Sequence, residues 1–315
     1  MAYPKILLDT DMDSDCDDAG TLAVAEALER RGVARLCGVL CSIPEPACAW
    51  FLQAVAERYG RTDLPIGSLR LPEWTTSPVY AGYRAHRERA KANGTLYNET
   101  IGGEWHARHP EVVFPDAVAQ YRHLLASAED GSITICAIGT LTALARLLVS
   151  EPDGFSPLDG RALVAAKVKS LVTMAEGWFP EGADVFNWKM DLTASAQVLR
   201  DWPTAVVVSP WGREVCVGER FLAAAPADHP VARAYRIHLG TRATTRPSWD
   251  QLAYLIAALG EDAPFRQHPG HELSFEEATG KHQWRSGGGR FIHVEPTASN
   301  ADLGREVEDL MIESL

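Results

Sequence analysis

Asp9-Thr10-Asp11-Met12-Asp13-Ser14-Asp15-Cys16-Asp17-Asp18 puts six aspartates into ten consecutive residues. Ionised together they repel one another, and an acidic run of this kind is ordinarily a solvated surface segment. Its neighbours argue otherwise. Ile6-Leu7-Leu8, immediately before it, is an apolar run of the buried-strand type, and residues 19–30, immediately after it, carry Leu22, Ala23, Ala27 and Leu28 at helical spacing. Asp17 and Asp18 fall at the start of that helix, where free N–H groups and the helix dipole favour a carboxylate. Capping accounts for one or two aspartates and leaves the rest unexplained. Hard oxygen donors in this number suit Ca²⁺ or Mg²⁺. The run therefore reads as a divalent-metal site at the end of the first strand.

Strand-type runs recur at residues 33–42, 64–67, 132–138, 169–175 and 205–209, with helical patterns over 46–59 and 140–149. This alternation predicts an α/β fold: an open, mostly parallel central β-sheet with helices on both faces and a Rossmann-like core. Sheets of this kind bind ligands outside the carboxyl ends of their strands. The aspartate run follows one such end and Gly139 another. Residues 71–115 are polar, aromatic and loop-rich, and read as a helix plus excursions near a pocket mouth. Ser286-Gly287-Gly288-Gly289 reads as a flexible turn leading into residues 291–294. With no internal repeat and no Pro/Ser-rich linker, the expectation is a single domain over residues 1–315.

Composition sets the outer bounds. The chain has 315 residues, 46% of them hydrophobic, which is ample for a large core. Acidic residues outnumber basic ones 42 to 30, a formal charge of −12, so electrostatic capture of nucleic acid is not expected. Cys16, Cys37, Cys41, Cys48, Cys136 and Cys216 form no CxxC pair and mostly sit in apolar runs, as buried thiols of a reducing compartment do. Met1-Ala2-Tyr3-Pro4-Lys5 runs straight into a strand without a signal-type apolar region, and no stretch is long enough to span a bilayer. A cytoplasmic protein without membrane contact is expected.

Two other Asp-rich chemistries can be checked by register. An EF-hand loop begun at Asp11 would have Cys16 at its obligatory glycine and Leu22 at its closing glutamate; begun at Asp9, it would have Ser14 and Gly20 there. Neither register works. An aspartyl phosphatase of the haloacid dehalogenase type places DxDx(T/V) after its first strand, and Asp9-Thr10-Asp11-Met12-Asp13 matches half of that pattern. Phosphatase chemistry stays as a minor alternative.

A strand, then Asp-Thr-Asp, a short loop, and Asp-Asp-Ala opening a helix resembles the nucleoside hydrolase family, the inosine–uridine preferring nucleoside N-ribohydrolases. The similarity is to its longer-loop DTDxGSDxDD branch, with Asp13 in place of the glycine. Arg61-Thr62-Asp63-Leu64-Pro65-Ile66-Gly67, residues 133–144, residues 171–174, residues 185–191 and residues 246–253 resemble further family segments in family order. The resemblance implies Ca²⁺ held by Asp11, Asp18, the carbonyl of Ile138 and Asp250, with Asp17 and Asn187 binding ribose. It implies cleavage of the N-glycosidic bond of a ribonucleoside to free base and ribose, by a water activated by Asp11, in a homo-oligomer (dimer or tetramer). Without the resemblance, Asp250 would be an ordinary first-turn carboxylate and Asn187 an ordinary turn residue.

Departures from the family pattern fall around the sugar and the base. Trp249 replaces a histidine that some members carry before the late aspartate, and is expected to stack on the base. Val185 replaces a ribose-binding glutamate, with Asp184 one position earlier. An asparagine after the second strand is missing, and Glu45 is expected to substitute for it. Trp74, Trp178, Trp188, His86, His106 and His109 are candidates for the pocket wall. These changes keep open two alternatives: a relative acting on a non-standard N-riboside, and a catalytically weak metal- and nucleoside-binding protein.

Overall fold

The structure is a computed structural model describing residues 3–176 and 178–315. Met1 and Ala2, the first residues of the N-terminal stretch read above, lie outside the described residues. The strands are β1 (Lys5–Thr10), β2 (Arg35–Cys41), β3 (Ile66–Gly67), β4 (Ile133–Ala137), β5 (Val168–Met174), β6 (Glu181–Ala183), β7 (Ala205–Ser209), β8 (Cys216–Val217), β9 (Arg246–Pro247), β10 (Phe265–Glu276) and β11 (Lys281–Pro296). The α-helices are α1 (Asp17–Arg30), α2 (Pro46–Arg58), α3 (Ala81–Ala92), α4 (Tyr97–Arg108), α5 (Ala117–Ala126), α6 (Thr142–Leu148), α7 (Gly160–Lys167), α8 (Leu192–Asp201), α9 (Glu219–Ala224), α10 (Pro230–Leu239), α11 (Trp249–Leu259) and α12 (Asn300–Glu313).

The main sheet runs β10-β11-β7-β5-β4-β1-β2-β3 and is parallel from β11 to β3. The antiparallel pairings are β10 and β6, each with β11. This is the expected mostly parallel α/β sheet. Strand alternation divides the core between its two faces. Ile6 and Leu8 pack with α1, α2, α10, α11 and α12, while Leu7 packs with α5, α6, α7 and α8. Burial on both faces is why these strands read as continuous apolar runs. Among the described residues, no helix is long and apolar enough to cross a membrane.

From β1 the chain moves outward through β2 and β3, then returns to start β4 on the other side of β1. The sheet order thus reverses between β1 and β4, which opens a crevice outside their carboxyl ends. The strand ends are tied there: Ile138 donates its N–H to the Asp9 carbonyl and Ser42 to the Thr10 carbonyl, each at 2.8 Å. Gly139 must be glycine, because a Cβ would stand 2.5 Å from the Asp11 nitrogen and 2.5 Å from Ser42 Oγ.

Two expectations change. Ser286-Gly287-Gly288-Gly289 is not a turn but part of β11, which runs unbroken beside β10 with a bulged register: Gly270 pairs with Gly289, and His271 with both Ser286 and Phe291. Backbone approaches too closely here for a side chain, since a Cβ on Gly289 would lie 2.1 Å from the His271 carbonyl. Residues 71–115 hold two helices, α3 and α4, instead of one. Gly102 brings α4 hard against α2, where a Cβ would meet the Ala47 carbonyl at 2.8 Å.

Candidate functional site

The aspartate run leaves β1 and crosses the crevice before entering α1. Asp9, Asp11, Asp13, Asp17 and Asp18 are buried, and the Asp15 side chain is 34% exposed. Burial of five carboxylates is tolerable only where each charge is neutralised or hydrogen-bonded. Asp9 faces the second core, where Tyr121 donates to its Oδ2 at 2.7 Å, and burial pushes its carboxyl well above the usual range. It supports the strand end and does not line the cavity.

Asp13 and Asp15 meet arginines. Arg87 of α3 donates Nε to Asp13 at 2.8 Å, and Asn98 of α4 donates to its other oxygen at 3.0 Å. Burial still dominates and raises Asp13 to about 6, with Arg87 opposing. Asp15 takes both Nε (2.8 Å) and Nη2 of Arg246, and His238 Nε2 stands 3.7 Å away. Burial alone would raise Asp15; Arg246 and then His238 outweigh it and hold the carboxyl low.

Asp11, Asp17, Asp18 and Asp250 form the other group. Among the described residues, none of the four makes an ion pair with Lys or Arg. Tyr83 of α3 donates to Asp11 at 2.8 Å and Thr10 Oγ1 donates to Asp18. Oxygens of Asp17, Asp18 and Asp250 lie within 4.8 Å of one another. Burial, reinforced by repulsion from neighbouring carboxylates, raises Asp17, Asp18 and Asp250 well above normal; burial, opposed by the Tyr83 hydroxyl and reinforced by Asp13, raises Asp11 to about 7. A divalent cation could be held by the oxygens of Asp17, Asp18 and Asp250, with Asp11 lining the same cavity, and the all-oxygen donor set suits a hard one. The residues present therefore fit a metal ion.

These side chains line a cavity of about 360 Å³ together with Ser14, Asp15, His86, Ile138, Met174, Glu176, Asp184, Val185, Phe186, Asn187, Arg213, His238, Arg246 and Trp249. The structure thus brings together Asp11, Asp17, Asp18, Ile138, Asn187, Trp249 and Asp250, which the sequence scatters from one end to the other. Asn187 donates its amide to the Ile138 carbonyl at 2.9 Å. Arg246 lies over the Trp249 ring at 5.2 Å. Asp184 is fully engaged with backbone: it accepts N–H groups from Glu176 (2.6 Å), Trp188 (2.7 Å) and Phe186 (3.1 Å). Val185 is exposed, and Glu176 pairs with Arg213 at 2.6 Å.

Glu45 is not among the lining residues. It accepts from Trp74 Nε1 at 3.0 Å and pairs with Arg87 at 2.5 Å, behind Asp13. His106 stacks on Trp50 and His109 on Trp105, both away from the cavity. Trp188 is buried in the core with its N–H on Thr173, and Trp178 is exposed. His86 does line the wall, packing edge-on against Phe186 with Nε2 2.7 Å from Ser14 Oγ.

Sequence reasoning missed Tyr83, Arg87, Asn98, His238 and Arg246 as partners of the aspartates. A signal was present for α3: Tyr83, His86 and Arg87 recur at three- and four-residue spacing on one face of a basic helix, the natural complement to an acidic loop. No local signal marks Asn98 or His238.

The architecture is the nucleoside hydrolase-type α/β fold, and several solved structures share it across their whole length. A type III effector protein, XopQ, complexed with adenosine diphosphate ribose aligns at TM-score 0.71 and 16% identity, over 100% of this chain and 93% of that one. A plant nucleoside hydrolase aligns at 0.65 and 14%, over 100% and 99%. An inosine-uridine preferring nucleoside hydrolase from Bacillus anthracis aligns at 0.65 and 14%, over 99% and 99%. No family model and no curated protein matches the sequence.

Proposed function

We propose that the protein is a Ca²⁺-dependent hydrolase of the N-glycosidic bond of a ribonucleoside. One observation carries the reading: Asp11, Asp17, Asp18 and Asp250, buried and without an ion-pairing Lys or Arg among the described residues, gather with Ile138 and Asn187 around one cavity at the crevice between β1 and β4. The likeness to structures titled as nucleoside hydrolases supports it.

Asp11, Asp18, Asp250 and the Ile138 carbonyl would hold Ca²⁺, which when bound polarises an attacking water and engages ribose hydroxyls. Cleavage of a ribosyl C1′–N bond builds positive charge on the sugar while water attacks the opposite face. Asp11, oriented by the Tyr83 hydroxyl, takes the water's proton. Asp17 binds the ribose hydroxyls, and the packed carboxylates stabilise the oxocarbenium charge without reorganising. Trp249 offers a face for the leaving base, and its position is held by Gly212, where a Cβ would stand 2.3 Å from the Trp249 Cα.

A non-standard N-riboside is favoured as substrate by Asp184 and Glu176. Three backbone N–H groups on Asp184 and the Arg213 guanidinium on Glu176 Oε1 leave each carboxylate only part of its accepting capacity for a ribose 5′-hydroxyl. Purified protein should release free base and ribose from an N-riboside in the presence of Ca²⁺, and lose this on chelation. Turnover that persists after the metal is removed overturns the mechanism. Within a nucleoside panel, best turnover on plain inosine would refute the non-standard substrate.

A further inference from the structure

The hairpin of β10 and β11 carries a second group of ligating side chains that the proposed reaction does not use. His293 and Glu295 are two residues apart on β11 and so share one face of the strand. His268 of β10 is the direct cross-strand partner of His293. Cross-strand pairing and strand alternation together put all three side chains on the same side of the ribbon.

The distances suit a cation. His268 Nε2 and Glu295 Oε2 are 3.1 Å apart, and one ligating atom from each of the three residues lies within 4.8 Å of the others. Bonds of about 2.0–2.1 Å in a tetrahedron give ligand–ligand edges of about 3.3 Å. One edge is thus already formed, and small rotations of the more exposed His268 and Glu295 side chains toward His293 close the rest. Phe179 stacks on His293 with ring centroids 4.4 Å apart, which fixes the plane of that ring. His293 is buried, so its ring is held in place beneath the two more exposed ligands. The His268 and Glu295 side chains are 37% and 52% exposed, which gives an ion access from solvent.

We propose that His268, His293 and Glu295 form a second metal site, taking Zn²⁺ or a similar borderline transition-metal ion with water in the fourth position. Two imidazoles and one carboxylate favour such an ion over Ca²⁺ or Mg²⁺, whereas the all-oxygen cavity has the opposite preference. The two sites therefore sort cations by donor type.

The test uses the full chain, stripped by chelation and then kept in excess Ca²⁺ to fill the oxygen-rich cavity. Titration with Co²⁺ should give saturable binding of one equivalent with the visible absorption of tetrahedral Co²⁺, and Zn²⁺ should displace it. His268→Gln and Glu295→Gln, at accessible positions, should each weaken binding about tenfold or more, and Asp250→Asn should leave it unchanged. Absence of saturable Co²⁺ binding, binding undiminished in His268→Gln, or loss of binding in Asp250→Asn would each overturn the proposal. No readout depends on hydrolysis, so the outcome is separate from that of the proposed activity.

Discussion

Within one ten-residue segment, Asp13 and Asp15 sit against Arg87 and Arg246, while Asp11, Asp17 and Asp18, joined by Asp250, have no ion-paired Lys or Arg among the described residues. Burial acts on both groups. In the first the protein supplies the countercharge; in the second it leaves the charge to be supplied by something that binds. The contrast teaches how an acidic loop divides its work: Asp13 and Asp15, held by arginine, shape the loop, Asp15 at the cavity wall, and the carboxylates without arginine gather around the cavity.

The contrast can be broken by substitution. Asp11→Ala should lower kcat for N-riboside cleavage by about 10²- to 10⁴-fold, the usual span for loss of a general base, with the melting temperature little changed. Retained activity would move the base elsewhere. Arg87→Met should act on the other group. It strands Asp13, which is buried, and should cost about 3–5 kcal/mol of stability, read by denaturant unfolding. If stability holds but Ca²⁺ affinity collapses, the division between the two groups is wrong.

Removing the metal should expose the uncompensated group directly. At 100 times its Kd, Ca²⁺ should stabilise the protein by about 2.7 kcal/mol. The sign of the pH dependence follows from Asp11. Burial raises it from 3.8 to about 7 in the metal-free protein, so the folded state binds the proton more tightly than the unfolded one. Its contribution is present in full below about 4 and is lost as pH rises through about 7. Metal-free protein should therefore melt at lower temperature as pH is raised from about 4 to about 7, and Ca²⁺ should restore most of the loss at the upper end. A melting temperature of metal-free protein that climbs over this range would refute the unpaired-charge account.

Smaller effects sharpen the picture. Tyr83→Phe removes one hydrogen bond to Asp11, worth about 0.5–1.5 kcal/mol, and should lower kcat by about two- to tenfold with KM unchanged. Glu45→Ala removes an ion pair with Arg87 and a hydrogen bond from Trp74, neither of them at the cavity wall, and should change kcat and KM by no more than about twofold, about 0.5 kcal/mol. A large rise in KM would return Glu45 to the substrate.

The parallel sheet was legible because Ile6-Leu7-Leu8 and Ile133-Thr134-Ile135-Cys136 are buried on both faces and read as unbroken apolar runs. The aspartate run was legible because its density has no structural explanation. Ile138 and Asp250 could be joined to it only through the resemblance, since nothing in their local sequence marks them. Glu45 was drawn toward the cavity by its position after β2, but Arg87 lies between it and the loop, and that contact depends on how α3 packs. Ser286-Gly287-Gly288-Gly289 looks like a turn because glycine serves both turns and bulges; only the pairing with β10 distinguishes them.

The oxygens of the cavity come from the residue after β1, from the start of α1, from the residue after β4 and from the start of α11. No subset of the chain short of residue 250 assembles them, and a partly folded intermediate would offer isolated carboxylates to a cation, never a cage. Cation affinity is therefore a property of the finished topology, complete only when α11 docks against the carboxyl edge of the sheet. Such a ligand leaves early folding rates unaltered and acts on the unfolding limb, lengthening the lifetime of the native state.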